Sequence, residues 1–483
     1  MKIAFLSPAG AMHRYNGSFG RSLHYAPLTM TTLAALVPKE MDAGLAIYDE
    51  TVEAIPLDLQ ADIVLVTAIT GTSPRAYKFC DYFRSRGITV FLGGVQPTLD
   101  PAEAQKHCDA LFTGIADYTF PNALRDYMNG ELKPVYRQPC GQISLAGRPA
   151  PRRDLLKPNA YITKNTVEAV RGCPLPCTFC AYPAAFGKKV ICRPVKEVIA
   201  EIEQLKGKYV LFPDVNLLAD MDYAKKFFTE MIPLKKKWFG LTTSQVGYDG
   251  ALFSLLEKSG CAGLLIGFES VNQSSQKYIN KAVNRTENYD DLIARLHGAG
   301  VRINGCFAFG GDNDEKDVFE RTVEQVQRLR IDLPRYSILT PFPNTEFYRE
   351  LDSQGRITER NLAMYDVEHV VFRPKNMSAD ELYEGAEWAW RETYKTLGIL
   401  RRINKLEFIS YITNFAYHGY ANKFAGFTKE VMCDNSDIPG TAPQDIPGAA
   451  PYDIPGAAPH YTPGTAPHDI PVTASHDILG AAP

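Results

Sequence analysis

The chain reads as an α/β protein. It comprises an N-terminal doubly wound, Rossmann-like domain, a partial (β/α)6 barrel of TIM type, a helical C-terminal region and a disordered repeat tail. Three observations predict this: two successive series of short β-branched runs alternating with helix-length stretches, a Pro- and Arg-rich break between them, and a sharp change of composition near residue 434. The boundaries that follow are 1–135 for the first domain, 136–165 for a linker, 166–345 for the barrel, 346–433 for the helical region and 434–483 for the tail.

In the first series, strand candidates are Lys2–Ser7, Ala43–Tyr48, Ile63–Thr67, Thr89–Leu92 and Ala110–Thr113, with helices at Leu28–Val37, Ser73–Arg86 and Pro101–His107. Apolar runs without alternation mark strands buried on both faces, hence a parallel sheet. Ligands of such sheets sit beyond the carboxyl ends of the strands. That places Pro8–Gly10, Asp49, Thr67–Thr72, Gly93–Val95 and Gly114 around one crevice. The second series has strand candidates Val167–Val170, Tyr209–Phe212, Phe239–Ser244, Gly263–Phe268, Val301–Phe309 and Arg335–Leu339. Six strands make a partial barrel, whose active site belongs at the same, carboxyl-terminal rim. The stretch Leu406–Phe427 is aromatic but broken by Asn414, His418, Asn422 and Lys423, so it reads as a packed helix and loop. In the tail, Asp437, Asp445, Asp453, Asp469 and Asp477 head eight-residue units of the form DIPGAAPx, and Tyr461 replaces the Asp of a degenerate one. Hydrophobic side chains are too sparse there to build a core.

Composition bounds the function. At 483 residues the chain is long enough for about three domains. A net charge of −3 argues against a nucleic-acid or polybasic membrane-surface role. No run of eighteen or more apolar residues occurs, and the N-terminal apolar run is too short for a signal peptide, so a cytoplasmic protein with no membrane span is expected.

Ten cysteines are present, and thiols in such a chain are expected reduced. Seven are scattered and read as small buried hydrophobes. The other three form Cys173-Pro-Leu-Pro-Cys177-Thr-Phe-Cys180, spaced C-x3-C-x2-C after a strand. Three thiolates on one loop hold three irons of a 4Fe–4S cubane and leave the fourth open to a small chelating molecule. A structural zinc site needs a fourth ligand, and only the lone Cys192 lies near. His13 and His24, in the first loops, read as solvated loop histidines or as crevice residues.

This cysteine loop, with an aromatic Phe179 before its last cysteine, resembles the radical S-adenosylmethionine (SAM) superfamily. Gly93-Gly94-Val95-Gln96-Pro97-Thr98 is similar to the "GG-x-H/Q-P-T" stretch of the subgroup with an N-terminal cobalamin-binding domain. Gly267-Phe268-Glu269-Ser270 is similar to its SAM-contacting "G-x-E-S" strand end. Gly305–Asp312 and Leu339–Thr345 are also similar, and Tyr365–Pro374 resembles hopanoid-methylase-type members; the likeness spans roughly residues 1–400.

The resemblance implies a 4Fe–4S cluster on Cys173, Cys177 and Cys180, SAM contacts from Gly267, Glu269 and Ser270, and cobalamin contacts from Thr67, Thr70, Gly71, Gly93 and Gly94. For the glycines, ordinary tight βα turns are the competing reading, and for Glu269 a surface ion pair. The family's GGE stretch is replaced by Phe212-Pro213-Asp214-Val215-Asn216, so Asp214 and Asn216 are expected to approach SAM; alternatively Asp214 caps the following turn. The cobalamin motif D-x-H-x-x-G is replaced by Asp49-Glu50-Thr51-Val52-Glu53-Ala54. Residue 51 thus offers no lower axial ligand, which implies either a base-off, His-off cobalamin or a domain that has lost it.

The implied activity is that of a cobalamin-dependent C-methyltransferase on an unactivated carbon of a lipid or secondary metabolite. Its implied partners are a small-molecule or lipid substrate and an electron donor such as flavodoxin or ferredoxin. A cyclase, rearrangement or methylthiotransferase reaction on the same architecture, and a non-catalytic cobalamin or cluster sensor, are the alternatives. No spacing assigns a catalytic side chain.

Overall fold

The computed structural model describes residues 1–10, 26–138, 143–402, 413–415, 417–419, 421–422 and 437–439. His13, His24 and all of the tail beyond residue 439 lie outside the described residues.

The N-terminal sheet is fully parallel, with six strands in the order β2-β1-β3-β4-β5-β6. These are β1 (Lys2–Ser7), β2 (Gly44–Asp49), β3 (Ile63–Thr67), β4 (Thr89–Gly93), β5 (Ala110–Thr113) and β6 (Val135–Arg137). Successive residues of one strand feed opposite cores. Ile3, Phe5, Ile63, Leu65, Phe91 and Phe112 pack on one face, while Ala4, Leu6, Val64, Val66, Val90 and Leu92 pack on the other. That period of two, buried on both sides, is why the runs show no polar alternation. The chain turns back between β1 and β3, which makes their loops the switch point of the sheet.

The expected five strands are present, and β6 adds a sixth, so the segment expected as linker begins with sheet. Three residues are too few to carry a period, and β6 is held by its neighbour: Tyr136 stacks on Phe112 at 5.3 Å.

The second sheet is also parallel, ordered β13-β12-β11-β10-β9. Its strands are β9 (Tyr209–Phe212), β10 (Lys237–Thr242), β11 (Cys261–Glu269), β12 (Arg302–Phe309) and β13 (Arg335–Ile338). The amphipathic helices Val195–Gln204, Met221–Met231, Gly250–Lys258, Tyr289–Gly298 and Val318–Arg328 bury their apolar faces against it. Asp220 and Asp249 cap two of them by accepting from Tyr223 N and Leu252 N, both at 2.9 Å.

The expected first barrel strand differs. Residues 165–167 reach β9 through a single parallel bridge, Thr166 to Leu211. Beyond it, the Asp214 carboxylate takes the amides of Ala169 and Val170, so the ladder cannot continue. The regular strands there are β7 (Val170–Arg171) and β8 (Ile191–Cys192), paired antiparallel.

The C-terminal region is helical at Glu346–Ser353, Ala379–Tyr394 and Thr396–Arg402. Residues 354–378 depart from the helical expectation. They hold one short 3-10 turn, Leu362–Met364, and an Ile357–Phe372 bridge. Asp366 accepts from the amides of Glu368 and His369, a local bond that competes with helix. Within the aromatic stretch, Tyr417 stacks on Trp390 and Tyr394. The expectation of disorder from residue 434 does not extend to Asp437–Pro439, where Ile438 is 1% exposed in the N-terminal core. Among the described residues no helix is long and apolar enough to cross a membrane.

Candidate active site

The cysteine loop leaves β7 at Gly172. There φ is +110°, and a Cβ would stand 2.1 Å from the Lys189 carbonyl oxygen, so only glycine fits. The loop is pinned to two other elements. Thr178 N donates to Ile279 O at 3.2 Å, and Phe347 N donates to Thr178 O at 3.0 Å. Cys180 then opens the helix Ala181–Phe186. The three thiols are partly buried and sense one another's charge. Burial pushes the Cys177 thiol up to about 12, with Lys281 opposing and Cys180, Glu269 and Cys173 adding; Cys180 is also raised by burial. Among the described residues no three His, Cys, Asp or Glu side chains converge on a single-ion position. Thiols that each serve a different iron of a cubane have no need to converge. The donor set suits that cluster.

Asn216 lies against this loop, its amide donating to Cys173 Sγ at 3.8 Å. Asp214 is 4% exposed; one oxygen is spent on the Ala169 and Val170 amides and the other is buried without a partner. Burial pushes its carboxyl up to about 8, with the charge of Glu168 adding. Asp214 therefore anchors the backbone leading into the cysteine loop, three residues before Cys173.

At the end of β11 the chain is strained on purpose of geometry: Glu269 has φ +61°, rare for a side-chain-bearing residue. Three side chains hold it there. Gln276 Nε2 donates to the Phe268 and Ser270 carbonyls, Asn284 Nδ2 to Gly267 O at 2.8 Å and Phe268 O at 3.1 Å, and Tyr289 OH to Phe268 O at 3.2 Å. The Glu269 carboxylate then folds back onto the Lys281 ammonium. A Cβ on Gly267 would lie 2.4 Å from that carboxylate and 2.7 Å from the ammonium, so the glycine makes room for the pair. Burial would lower the Lys281 pKa, but Glu269 and Cys177 outweigh it and leave it raised. A buried cation thus faces Cys177 and Cys180. Ser270 is buried and accepts from Asn272 N at 3.0 Å, fixing the next turn. Glu269 is an ion pair, but a buried one at the cysteine loop rather than at the surface.

The second constellation lines the carboxyl-terminal edge of the first sheet. Gly94 has φ +118°, and a Cβ there would stand 2.4 Å from the Ala68 carbonyl; Gly93 backs onto Phe112. Gly94 thus lets the β3 and β4 loops approach closely, while Gly93 lets β4 end close against β5. Thr67, at the end of β3, is half-buried. Gly71 is closed over by the Tyr365 carbonyl and Asp366, with Tyr365 O 3.2 Å from where its Cβ would be. Thr70 Oγ1 and both amide atoms of Gln96 are buried without partners. Such orphans call for a polar partner, and donors and acceptors of this kind suit a group fringed with amides, such as a corrinoid. Thr51 hydrogen-bonds Asp49, which also accepts from Tyr161 OH at 3.1 Å, so both side chains are engaged with each other at this strand end.

An ionic network ties the edge to the cysteine loop. Arg171, two residues before Cys173, bonds Glu168 at 2.7 Å and Asp117, from the loop after β5, at 2.8 Å; Arg148 bridges the same two carboxylates. Lys281, Gln276, Asn284, Gln96 and this network were not singled out from sequence. Only Gln96 carried a signal, as the fourth residue of the Gly93–Thr98 stretch.

The three-cysteine loop after β7, beside the five-stranded parallel sheet, carries the donor set that suits an iron–sulfur cluster with one iron open. Residues 167–325 match the family model of the radical SAM superfamily. A bacteriochlorophyllide d C-12(1)-methyltransferase of Chlorobaculum tepidum is 29% identical over 411 residues, covering 80% of this chain and 88% of that one. A hopanoid C-2 methylase of Rhodopseudomonas palustris is 21% identical, covering 71% of this chain and 69% of that one. The cobalamin-dependent SAM radical enzyme OxsB, solved with aqua-cobalamin bound, has the same fold. Its TM-score is 0.64 at 13% identity, over 89% of this chain and 72% of that one.

Proposed function

We propose that the chain is a cobalamin-dependent radical SAM methyltransferase acting on an unactivated carbon of a lipid or secondary-metabolite scaffold. The observation that carries this reading is the pairing, through the Arg171–Asp117 network, of the cysteine loop with a sheet edge at which Thr70 and Gln96 keep buried polar atoms without partners. The methyltransferase relatives add to it. Cys173, Cys177 and Cys180 would hold the 4Fe–4S cluster. Gly267, Glu269, Ser270 and Asn216 would border SAM, with Asp214 acting through the backbone it anchors. Thr67, Thr70, Gly71, Gly93, Gly94 and Gln96 would border a cobalamin without a protein ligand from residue 51. When bound, these groups supply an electron for SAM cleavage and a methyl group for transfer.

The protein's own part is placement. Asn216 donates to the sulfur of Cys173, Lys281 sets a positive charge beside Cys177 and Cys180, and Gln276 and Asn284 hold Glu269 in place. A flavodoxin- or ferredoxin-like protein would deliver electrons. The test is anaerobic reconstitution with iron, sulfide and cobalamin, followed by turnover with SAM labelled in its methyl group on a panel of lipid and tetrapyrrole acceptors. Label in product, dependent on cobalamin, supports the reading. SAM cleavage with an unlabelled, rearranged product would replace it by the cyclase-type alternative.

A further inference from the structure

Asp437, Ile438 and Pro439 open the repeat tail, and they are seated on the N-terminal domain. The helix Ser73–Ser85 presents Arg75, whose guanidinium grips the Asp437 carboxylate with two bonds, 3.1 and 2.8 Å long. The same guanidinium binds Glu50 at 2.7 Å, and Glu50 accepts from Ala9 N at 2.8 Å on the crevice loop after β1. Arg75 also lies over the Phe79 ring, 5.1 Å from its centroid. Next to this ionic grip, Ile438 is 1% exposed in a cluster with Ile55, Ala76, Phe79 and Cys80. A planar fork for a carboxylate beside an apolar socket for a branched side chain is a readable code, and Pro439 fixes the backbone that leaves it.

That code recurs. Asp-Ile-Pro stands intact at 437–439, 445–447, 453–455 and 469–471, with degenerate copies at 461–463 and 477–479. The residues between are mostly Gly, Ala, Thr and Pro, with one Gln, Tyr or His closing each complete unit, so an isoleucine in these units has no core of its own to enter.

We propose that Arg75, Phe79 and the apolar residues around Ile438 form a peptide socket for Asp-Ile-Pro, and that the tail carries several interchangeable ligands for it within the same chain. Repeated ligands on one tether raise the effective concentration at the socket without a new contact. Because Arg75 also holds Glu50, occupancy is linked to the loop that borders the crevice. This inference stands on Arg75 and Ile438 alone and does not depend on the proposed chemistry.

The test uses the full chain and a fluorescent peptide of residues 451–459. Ile438→Ser alone should leave the socket filled by another unit. Ser in place of Ile438, Ile446, Ile454, Ile470 and Ile478 together should empty it. The expected result is peptide binding to the fivefold variant, at least roughly tenfold weaker binding to wild type and to Ile438→Ser, and loss of roughly tenfold or more when Arg75→Met is added. Hydrogen exchange across Arg75–Cys80 should be slow in wild type and Ile438→Ser and fast in the fivefold variant. The proposal falls if the fivefold variant melts cooperatively yet ignores the peptide, or if Arg75→Met binds it equally. Redundancy falls if Ile438→Ser alone binds as the fivefold variant does. Protein association that rises with concentration and is lost in the fivefold variant would move the ligand to a second copy of the chain and overturn the same-chain assignment.

Discussion

Lys281 and Asp214 show how single buried ionisable groups shape the site. Lys281→Met leaves Glu269 buried without its partner, at a cost of about 3 kcal/mol or more. Chemical denaturation should show that loss, and Glu269→Gln with Lys281→Met together should recover part of it. Asp214 works in the opposite sense to a salt-bridged carboxylate. Its folded pKa, about 8, lies above the ordinary 3.8, so the folded state holds a proton the unfolded state has released. Its contribution is complete below pH 3.8 and is lost as pH rises toward 8. Denaturation of Asp214→Asn and wild type between pH 5 and 7 should therefore diverge, with wild type losing about 1.4 kcal/mol per pH unit relative to the variant. Parallel curves would contradict the assigned burial. The cysteines were legible because their spacing is itself the chemistry. Lys281 was not, because it lies a hundred residues further on and only the fold brings it back.

At the scale of elements, the strands were legible wherever apolar runs were long enough to show burial on both faces, as in Ile63–Thr67. Two kinds of element were not. β6 is too short to carry a period and depends on Phe112 for its place. The first barrel strand carries a good pattern, yet Asp214, more than forty residues away, takes its amides and ends it. The end of β11 is likewise fixed from outside. Asn284→Ala would take the side-chain donor from the Gly267 carbonyl while Gln276 and Tyr289 still serve Phe268 O, and thermal or chemical denaturation should register a loss of about 1–3 kcal/mol. The close approaches at the glycines of the first sheet's edge are set by distant partners: Gly94 by Ala68, Gly93 by Phe112 and Gly71 by Tyr365.

At the scale of the molecule, the crevice and the cysteine loop meet through Asp117, Arg171, Arg148 and Glu168. Asp117→Asn removes one carboxylate and leaves two guanidiniums sharing Glu168. The expected outcome is a destabilisation of about 2–4 kcal/mol and faster hydrogen exchange in residues 170–173, more than in the sheet itself. Equal exchange would show that the network does not join the two edges.

The central claim is that Cys173, Cys177 and Cys180, and not the other seven cysteines, hold one 4Fe–4S cluster. Iron analysis after anaerobic reconstitution tests it most directly. Wild type should carry about four irons per chain and the Cys173→Ala, Cys177→Ala, Cys180→Ala variant, folded to the same melting behaviour, essentially none. Equal iron in the two proteins would contradict the assignment.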